Sequence, residues 1–421
     1  MSRWSWILSE LSSRLWIRAS LYGIVAMFTA LAAIFCKRFI PVNLSQQIGA
    51  DAVDSILNIM AASMLSVTIF SLSTMVSAYG AATSNVTPRA TKLLIEDKIS
   101  HAALSTFIGA FIFSIVGIIA LKTGAYGDSG RLILFVVTIG VITMIVITLL
   151  RWIAYLAQLG RVNETIDRVE KAAMTALEER LRNPYLGGEK FEGAQSIPNN
   201  ASPVPAQFTG YVQHIDMARL AAIADKNKIR IYIQAPPGKF LDENLPLAFV
   251  NGMIEEDTAR DIRKAFIVGN ERFFKQDPRF GIAVLSEIGT RAVSKAINDP
   301  GSAIYVTGVA VRVLSLWAKR TELAGENTGI KYPGVFVPPL HIDDLLDDFF
   351  PPMARDGAGI LEVHIRLQKA YAALARTHDA ELIRAARHHA ALSLKHALGT
   401  LYLDEEKEKI TAIAAPLLEG R

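Results

Sequence analysis

Asp54–Asn85 reads DSILNIMAASMLSVTIFSLSTMVSAYGAATSN, and the fold turns on how this stretch is read. No charged residue lies between Ser55 and Pro88. At about 1.5 Å per helical residue the stretch exceeds the roughly 30 Å of hydrocarbon in a bilayer. It is not uniformly apolar, because Asn58, Ser63, Ser66, Thr68, Ser71, Ser73, Thr74 and Ser77 are spread through it. Small and hydroxyl side chains let helices approach closely and hydrogen-bond across an interface in lipid. The stretch is therefore expected to be the innermost helix of a membrane bundle.

The composition agrees. Of 421 residues, 51% are hydrophobic, and the mean hydropathy is +0.29. The apolar excess sits before Gly160, which leaves a long, more polar remainder. Lys and Arg number 44 against 40 Asp and Glu, for a net charge of +4. That balance argues against nucleic acid as a partner. Cys36 is the single cysteine, which excludes a disulfide framework and a cysteine-based zinc site. The first apolar segment has aromatic residues before it and is not read as a removed signal peptide.

Around the central stretch, three further spans are expected at about Ala19–Cys36, Ala102–Leu121 and Leu132–Leu150, giving a four-helix transmembrane domain over residues 19–155. Ahead of it, residues 1–18 carry Trp4, Ile7, Leu11 and Leu15 at helical spacing, which fits an interfacial amphipathic helix or a frayed terminus. The flanks Arg3, Arg14, Arg18, Arg89, Lys92, Lys98, Arg151 and Arg161 outweigh Lys37, Arg38, Lys122 and Arg131 on the other side. The positive-inside rule then places both termini and the polar remainder in the cytoplasm of a multi-pass protein of the bacterial inner (plasma) membrane. Neither Ser55–Asn85 nor any of the three further spans contains Asp, Glu, Lys or Arg. That argues against a carboxylate-driven pump and leaves a passive pore open. Asn58, Ser66, Ser73 and Ser77 are the candidate pore-lining residues, with tight helix packing as the alternative reading.

After the central stretch, Pro88 ends or kinks the helix and Arg89 is a candidate contact for lipid headgroups. Thr87-Pro88-Arg89, Asp97 and the FIGAFIF of Phe107–Phe113 resemble the corresponding motifs of a bacterial family of predicted inner-membrane proteins, the domain of unknown function twenty-two fifty-four. Thr87 stands where that family has Ser. Gly210–Asp216 matches its Gly-Tyr-Val-Gln-x-Ile-Asp pattern, and a Pro-Gly turn follows at Pro237-Gly238. Gln276-Asp277-Pro278 and Asn298-Asp299-Pro300 resemble its strongest signatures, with Lys295 in place of the usual Pro and Ser302 in place of Thr. The resemblance covers nearly the whole chain. It implies membership and a membrane location; the family carries no assigned activity, so it implies no chemistry.

Beyond the membrane, Val162, Ile166, Val169, Ala173, Ala176, Leu177 and Leu181 form a heptad-like stripe on a helical stalk, residues 156–183, that continues the fourth span. A subunit contact or the protein's own polar domain must cover it. Residues 184–206, rich in Gly and Pro, read as a flexible linker. Residues 207–254 read as a small α+β module, with Asp216 as a helix cap, and residues 255–421 as a mostly helical domain.

Each Asp-Pro is a good helix start, since Asp accepts from first-turn N–H groups and Pro suits the first helical position. The alternative is that the two helix N-termini converge with Arg272, Lys275, Arg279 and Arg291 into an anion site. Arg272, Gln276, Asp277, Arg279, Arg291, Asn298 and Asp299 are therefore the candidate ligand-binding residues. His341, Asp343, Asp344, Asp347 and Asp348 could serve a hard metal but read first as an acidic helix face over Leu345, Leu346, Phe349 and Phe350. No metal, cofactor or catalytic residue is expected, because no Walker loop, G-x-G-x-x-G, H-E-x-x-H or G-x-S-x-G occurs. The expected fold is a membrane protein of four transmembrane α-helices followed by a cytoplasmic, mostly helical α+β domain. The expected function is a homo-oligomeric channel-like or permeation protein in the lipid bilayer, with a cytoplasmic regulatory domain. The alternative is a non-conducting, membrane-anchored sensor or scaffold for a small anionic ligand or lipid headgroup.

Overall fold

A computed structural model describes residues 15–36, 50–95, 97–193, 197–325 and 329–420. The expected interfacial helix falls outside these residues except for its last four positions. The chain divides into two compact units. An apolar unit holds the described residues up to Ser84 together with Thr91–Glu164, and a polar unit holds Asn85–Ala90 and Thr165–Arg421.

The apolar unit is built from α1 (Leu15–Cys36), α2 (Ala50–Asn85), α3 (Pro88–Ile95), α4 (Lys98–Lys122) and α5 (Gly127–Leu156). Among the described residues, four helices are long and apolar enough to cross a membrane: Ala52–Asn85, Lys98–Lys122, Gly130–Leu156 and Pro300–Ala324. The first three carry the second, third and fourth expected spans. The expected first span lies in the 22-residue α1, whose described apolar stretch is Trp16–Ala32. The fourth candidate, Pro300–Ala324, belongs to the polar unit. Its apolarity has another cause: Ala303, Val306, Val309, Ala310, Val313 and Leu314 are fully buried in that unit's core.

Small residues set the packing of the apolar unit. Gly109 on α4 meets the backbone of Tyr22 on α1, where an added Cβ would lie 3.4 Å from the Tyr22 carbonyl oxygen. Side-chain hydrogen bonds also join segments of this unit: Tyr126 Oη donates to the Ala30 carbonyl at 2.9 Å, and Trp152 Nε1 donates to Ser71 Oγ at 2.9 Å. Both donors are buried. Asp97 caps α4 by accepting from Ser100 N at 2.8 Å.

The polar unit opens with α6 (Val162–Arg182). The turn between Leu156 and Val162, with Gly160 at φ +81°, separates it from α5, so the fourth span does not run on into the stalk as one helix. The strands and helices that follow are β1 (Glu189–Lys190), β2 (Ala201–Pro205), β3 (Gly210–Ile215), α7 (Met217–Asn227), β4 (Ile231–Ile233), β5 (Phe240–Leu241), β6 (Pro246–Asn251), α8 (Glu256–Arg263) and β7 (Phe266–Gly269). The remainder is α9 (Pro278–Ala292), α10 (Pro300–Leu314), a 3-10 turn at Ser315–Lys319, α11 (Arg320–Ala324), β8 (Val335–Val337), α12 (Ile342–Asp356), α13 (Leu361–Ala375), α14 (Ala380–Thr400) and α15 (Asp404–Leu418).

Two expectations are corrected here. The segment 184–206 is not a plain linker: it supplies β1 and β2, and Val204 and Ala206 are fully buried. Nor does an α+β module close at residue 254. The five-stranded sheet has the order β1-β8-β4-β6-β2, and a three-stranded sheet has the order β5-β3-β7. Strands from either side of 207–254 complete both, because β4 and β3 would otherwise leave ladder groups unpaired. The two central pairings of β8, with β1 and with β4, are parallel.

The stripe on α6 is covered by the chain itself. Ile166, Val169, Ala173 and Leu177 are fully buried. Gly281 on α9 stands so close that a Cβ there would lie 2.5 Å from Ala173 Cβ. From α10, Arg312 holds Glu170 through two bonds of 2.6 and 2.7 Å, and Tyr305 donates to Asp167 at 2.6 Å. The heptad-like spacing thus marks packing against the polar unit, not a subunit seam. The helical core beyond it is aromatic, with Phe350 packed on Phe349 and on Tyr371.

Candidate functional site

Three of the signatures read from the sequence, Gly210–Asp216, Pro237-Gly238 and Gln276-Asp277-Pro278, meet at one place. Asp277 caps α9, accepting from Phe280 N at 3.2 Å, with Pro278 at the start of the helix. Arg272 grips the same carboxylate with Nε at 2.7 Å and Nη2 at 2.9 Å. Burial pushes the Asp277 carboxyl up, while the Arg272 guanidinium and the Phe280 amide oppose the rise. Gly238, at φ +92°, lies against this pair; a Cβ there would sit 2.3 Å from Asp277 Oδ2. Its own N–H donates to the Val212 carbonyl of β3 at 2.8 Å. Gln276 Oε1 accepts from Ile215 N at 3.1 Å, and Gln213 Nε2 donates to the Glu271 carbonyl at 2.8 Å. Strand β3, the Pro236-Pro237-Gly238 turn and the start of α9 are thereby locked to one another.

The remaining candidates lie elsewhere. Asp299 caps α10 through Ser302 N at 3.1 Å and Ser302 Oγ at 2.6 Å. Asp299 N donates to the Ala292 carbonyl at 2.7 Å, which fixes this N-terminus at the far end of α9. A 15-residue helix is about 22 Å long, so the two helix N-termini do not converge. Arg291, in the last turn of α9, is roughly 20 Å from Asp277 for the same reason. Arg279 is held by Asp348 at 2.7 Å and Asp344 at 3.2 Å. Asp343 pairs with Arg384, and Asp347 lies 3.4 Å from His389 Nε2. The acidic face of α12 is thus matched within its own unit by Arg279 and Arg384, with His389, whose imidazole burial pushes toward the neutral form, beside Asp347. Arg89 also has a protein partner: its guanidinium donates to Glu287, which accepts from Thr87 Oγ1 at 3.0 Å. In the apolar unit, Asn58, Ser66, Ser73 and Ser77 are exposed. Asn58 Nδ2 bonds the Asp54 carbonyl at 2.8 Å and Ser66 Oγ the Ala62 carbonyl at 3.0 Å, so both groups are satisfied within α2.

Two cavities in the polar unit share Arg180, and the smaller adjoins the Asp277 cluster through Gln276 and Ile215. The smaller, about 140 Å³, is lined by Lys275, Gln276, Ile215, Lys331 and Tyr332 among others. The larger, about 590 Å³, runs between Tyr185, Trp317, Leu340 and Arg384, with Lys190, Arg320, Asp343 and Glu381 in its walls. Arg180 was not among the residues singled out in the sequence. Its signal was there: it follows Ala176 by four and Ala173 by seven, which puts a cation on the buried face of an amphipathic helix. Only 7% of it is exposed.

The family described as "Predicted membrane protein (DUF2254)" matches residues 12–373. The chain belongs to this family. The residues that meet at Asp277, and Arg180, all lie within the matched region. The chain is also similar to the uncharacterized proteins Rv1290c of Mycobacterium tuberculosis and Mb1321c of Mycobacterium bovis, at 24% identity over 248 residues. Those alignments take in 57% of this chain and 47% of each relative, so the chain spans about half the length of the curated relatives it matches. No solved structure matches.

Proposed function

We propose that this protein is a membrane-anchored receptor, whose polar unit binds a small molecule without chemically changing it. The observation that supports the reading is the 590 Å³ cavity lined by Arg180 and Trp317 in the polar unit. Its volume falls in the range of about 300–1,000 Å³ usual for organic ligands, and its walls mix apolar and charged groups as such sites do. The same reading puts the polar unit and both termini in the cytoplasm of a bacterial inner membrane, on the strength of the Lys and Arg asymmetry between flanks. A thermal-shift panel of small metabolites on the full chain in detergent tests it. Ala324→Trp, at the rim of the cavity, should abolish any stabilisation seen. A panel without a shift, or shifts unaffected by Ala324→Trp, counts against the receptor.

A second reading, a homo-oligomeric permeation protein, draws on the outward-facing Asn58, Ser66, Ser73 and Ser77 of α2. It has lost one support, since the stripe on α6 is already covered within the chain. Flux through liposomes that vanishes in Ser73→Leu would restore it.

A further inference from the structure

Arg180 differs from the other cations of the larger cavity in what neutralises it. Lys190 pairs with Glu192 at 2.8 Å, Arg320 pairs with Asp379 and Glu381, and Arg384 pairs with Asp343. Arg180 has no carboxylate within ion-pair distance among the described residues. One Nη2 donates to the Pro338 carbonyl at 2.9 Å, and Nε is buried without a hydrogen-bond partner. Asp277 attracts Arg180 through space, but its carboxylate is committed to Arg272. A buried charge without a partner is costly, and so is a buried N–H left unbonded. Yet this guanidinium lines both cavities.

We infer that Arg180 anchors an organic anion, a carboxylate or phosphate ester with an apolar body, in the larger cavity. The inference rests on the receptor reading above and names its ligand class. The guanidinium fork suits two oxygens of a planar or tetrahedral anion. The apolar body follows from Leu181, Pro184, Tyr185, Leu340 and Ile342 in the walls and from a volume far beyond one inorganic ion. Burial lowers the Arg180 guanidinium to about 10, which leaves it charged at neutral pH.

The test is calorimetric titration of the full chain in detergent with phenyl phosphate, benzoate and the neutral benzyl alcohol. Phenyl phosphate or benzoate should bind and benzyl alcohol should not. Arg180→Gln should weaken the anion at least tenfold, with Arg180→Lys between the two. The ligand-free Arg180→Gln protein should also melt at a higher temperature than the parent, because an uncompensated buried charge is gone. That rise separates loss of a binding group from loss of folding. Undiminished anion binding by Arg180→Gln, or equal binding of benzyl alcohol, overturns the anion anchor and leaves the receptor standing. Absence of heat from both anions also overturns it; the receptor then stands or falls on the Ala324→Trp panel. Repeating the titration in nanodiscs separates the two sources of a phosphate. A soluble ligand titrates alike in phosphatidylglycerol and phosphatidylcholine discs, whereas a lipid headgroup seated at Arg180 suppresses the heat in the former alone.

Discussion

Asp277 and Asp299 both precede a proline and both cap a helix, yet their surroundings separate them. Asp299 is partly exposed and bonds only its own first turn. Its replacement by Ala should cost about 1 kcal/mol, the usual loss for a cap. Asp277 is buried and holds Arg272 through two bonds. Removing one member of such a pair leaves a charge without its partner, and Asp277→Ala should cost roughly 3–5 kcal/mol. Urea unfolding of the two variants decides this; equal losses would mean the ion pair adds nothing to the cap. Gly238→Ala should be harmful for a related reason, since its Cβ would strike the Asp277 carboxylate from a backbone at φ +92°. His364 supplies the pH dependence. It is fully buried, bonded through Nδ1 to Ser393 Oγ at 3.1 Å, and burial pushes its imidazole down to about 4. Between the ordinary value near 6.5 and about 4, the unfolded chain binds a proton there that the folded chain refuses. Stability is therefore whole above about 6.5 and falls as pH drops through this window, by up to roughly 1.4 kcal/mol per unit. His364→Gln should flatten that acid limb in thermal unfolding measured from pH 7 to pH 4. The two caps were legible in the sequence because a cap is local chemistry. The partner of Asp277, five residues upstream, was not ranked above its neighbours, because spacing does not tell which arginine folds back.

At the scale of elements, α6 shows what periodicity can and cannot say. The stripe from Ile166 to Leu181 announced a buried face, and the face is buried. What covers it was not in the pattern, since α9 and α10 lie more than a hundred residues on. The prediction changes accordingly. Ile166→Ala should destabilise the folded protein by about 2–4 kcal/mol through a core cavity, with no change in particle mass in detergent. A fall in mass while the protein stays folded would bring the subunit seam back. Some strands escaped for another reason. β1 and β5 have two residues each and β8 three, too short for alternation to register, whereas the alternation around Ile231–Ile233 did mark β4. The apolar helix α10 invites the opposite error: read alone it could be a membrane span, and only its neighbours show where its apolar surface goes.

At the scale of the molecule, the division into an apolar and a polar unit followed from hydropathy alone, because lipid and water select different side chains over long stretches. The side of the membrane is a matter for labelling. With Cys36 replaced by Ala, a cysteine at Thr123 should react with an impermeant maleimide on spheroplasts and one at Asn200 should not; the reverse pattern inverts the topology. The sheet carries a consequence in time. β1 pairs only with β8, and the residues between Lys190 and Val335 must be synthesised before that pairing exists. At roughly 5–20 residues per second, β1 waits on the order of ten seconds or more after it leaves the ribosome. Leu340 follows β8, and Glu381 and Arg384 of α14 follow later still, so the larger cavity around Arg180 is among the last features of the nascent chain to close, its walls complete only once translation has passed the start of α14.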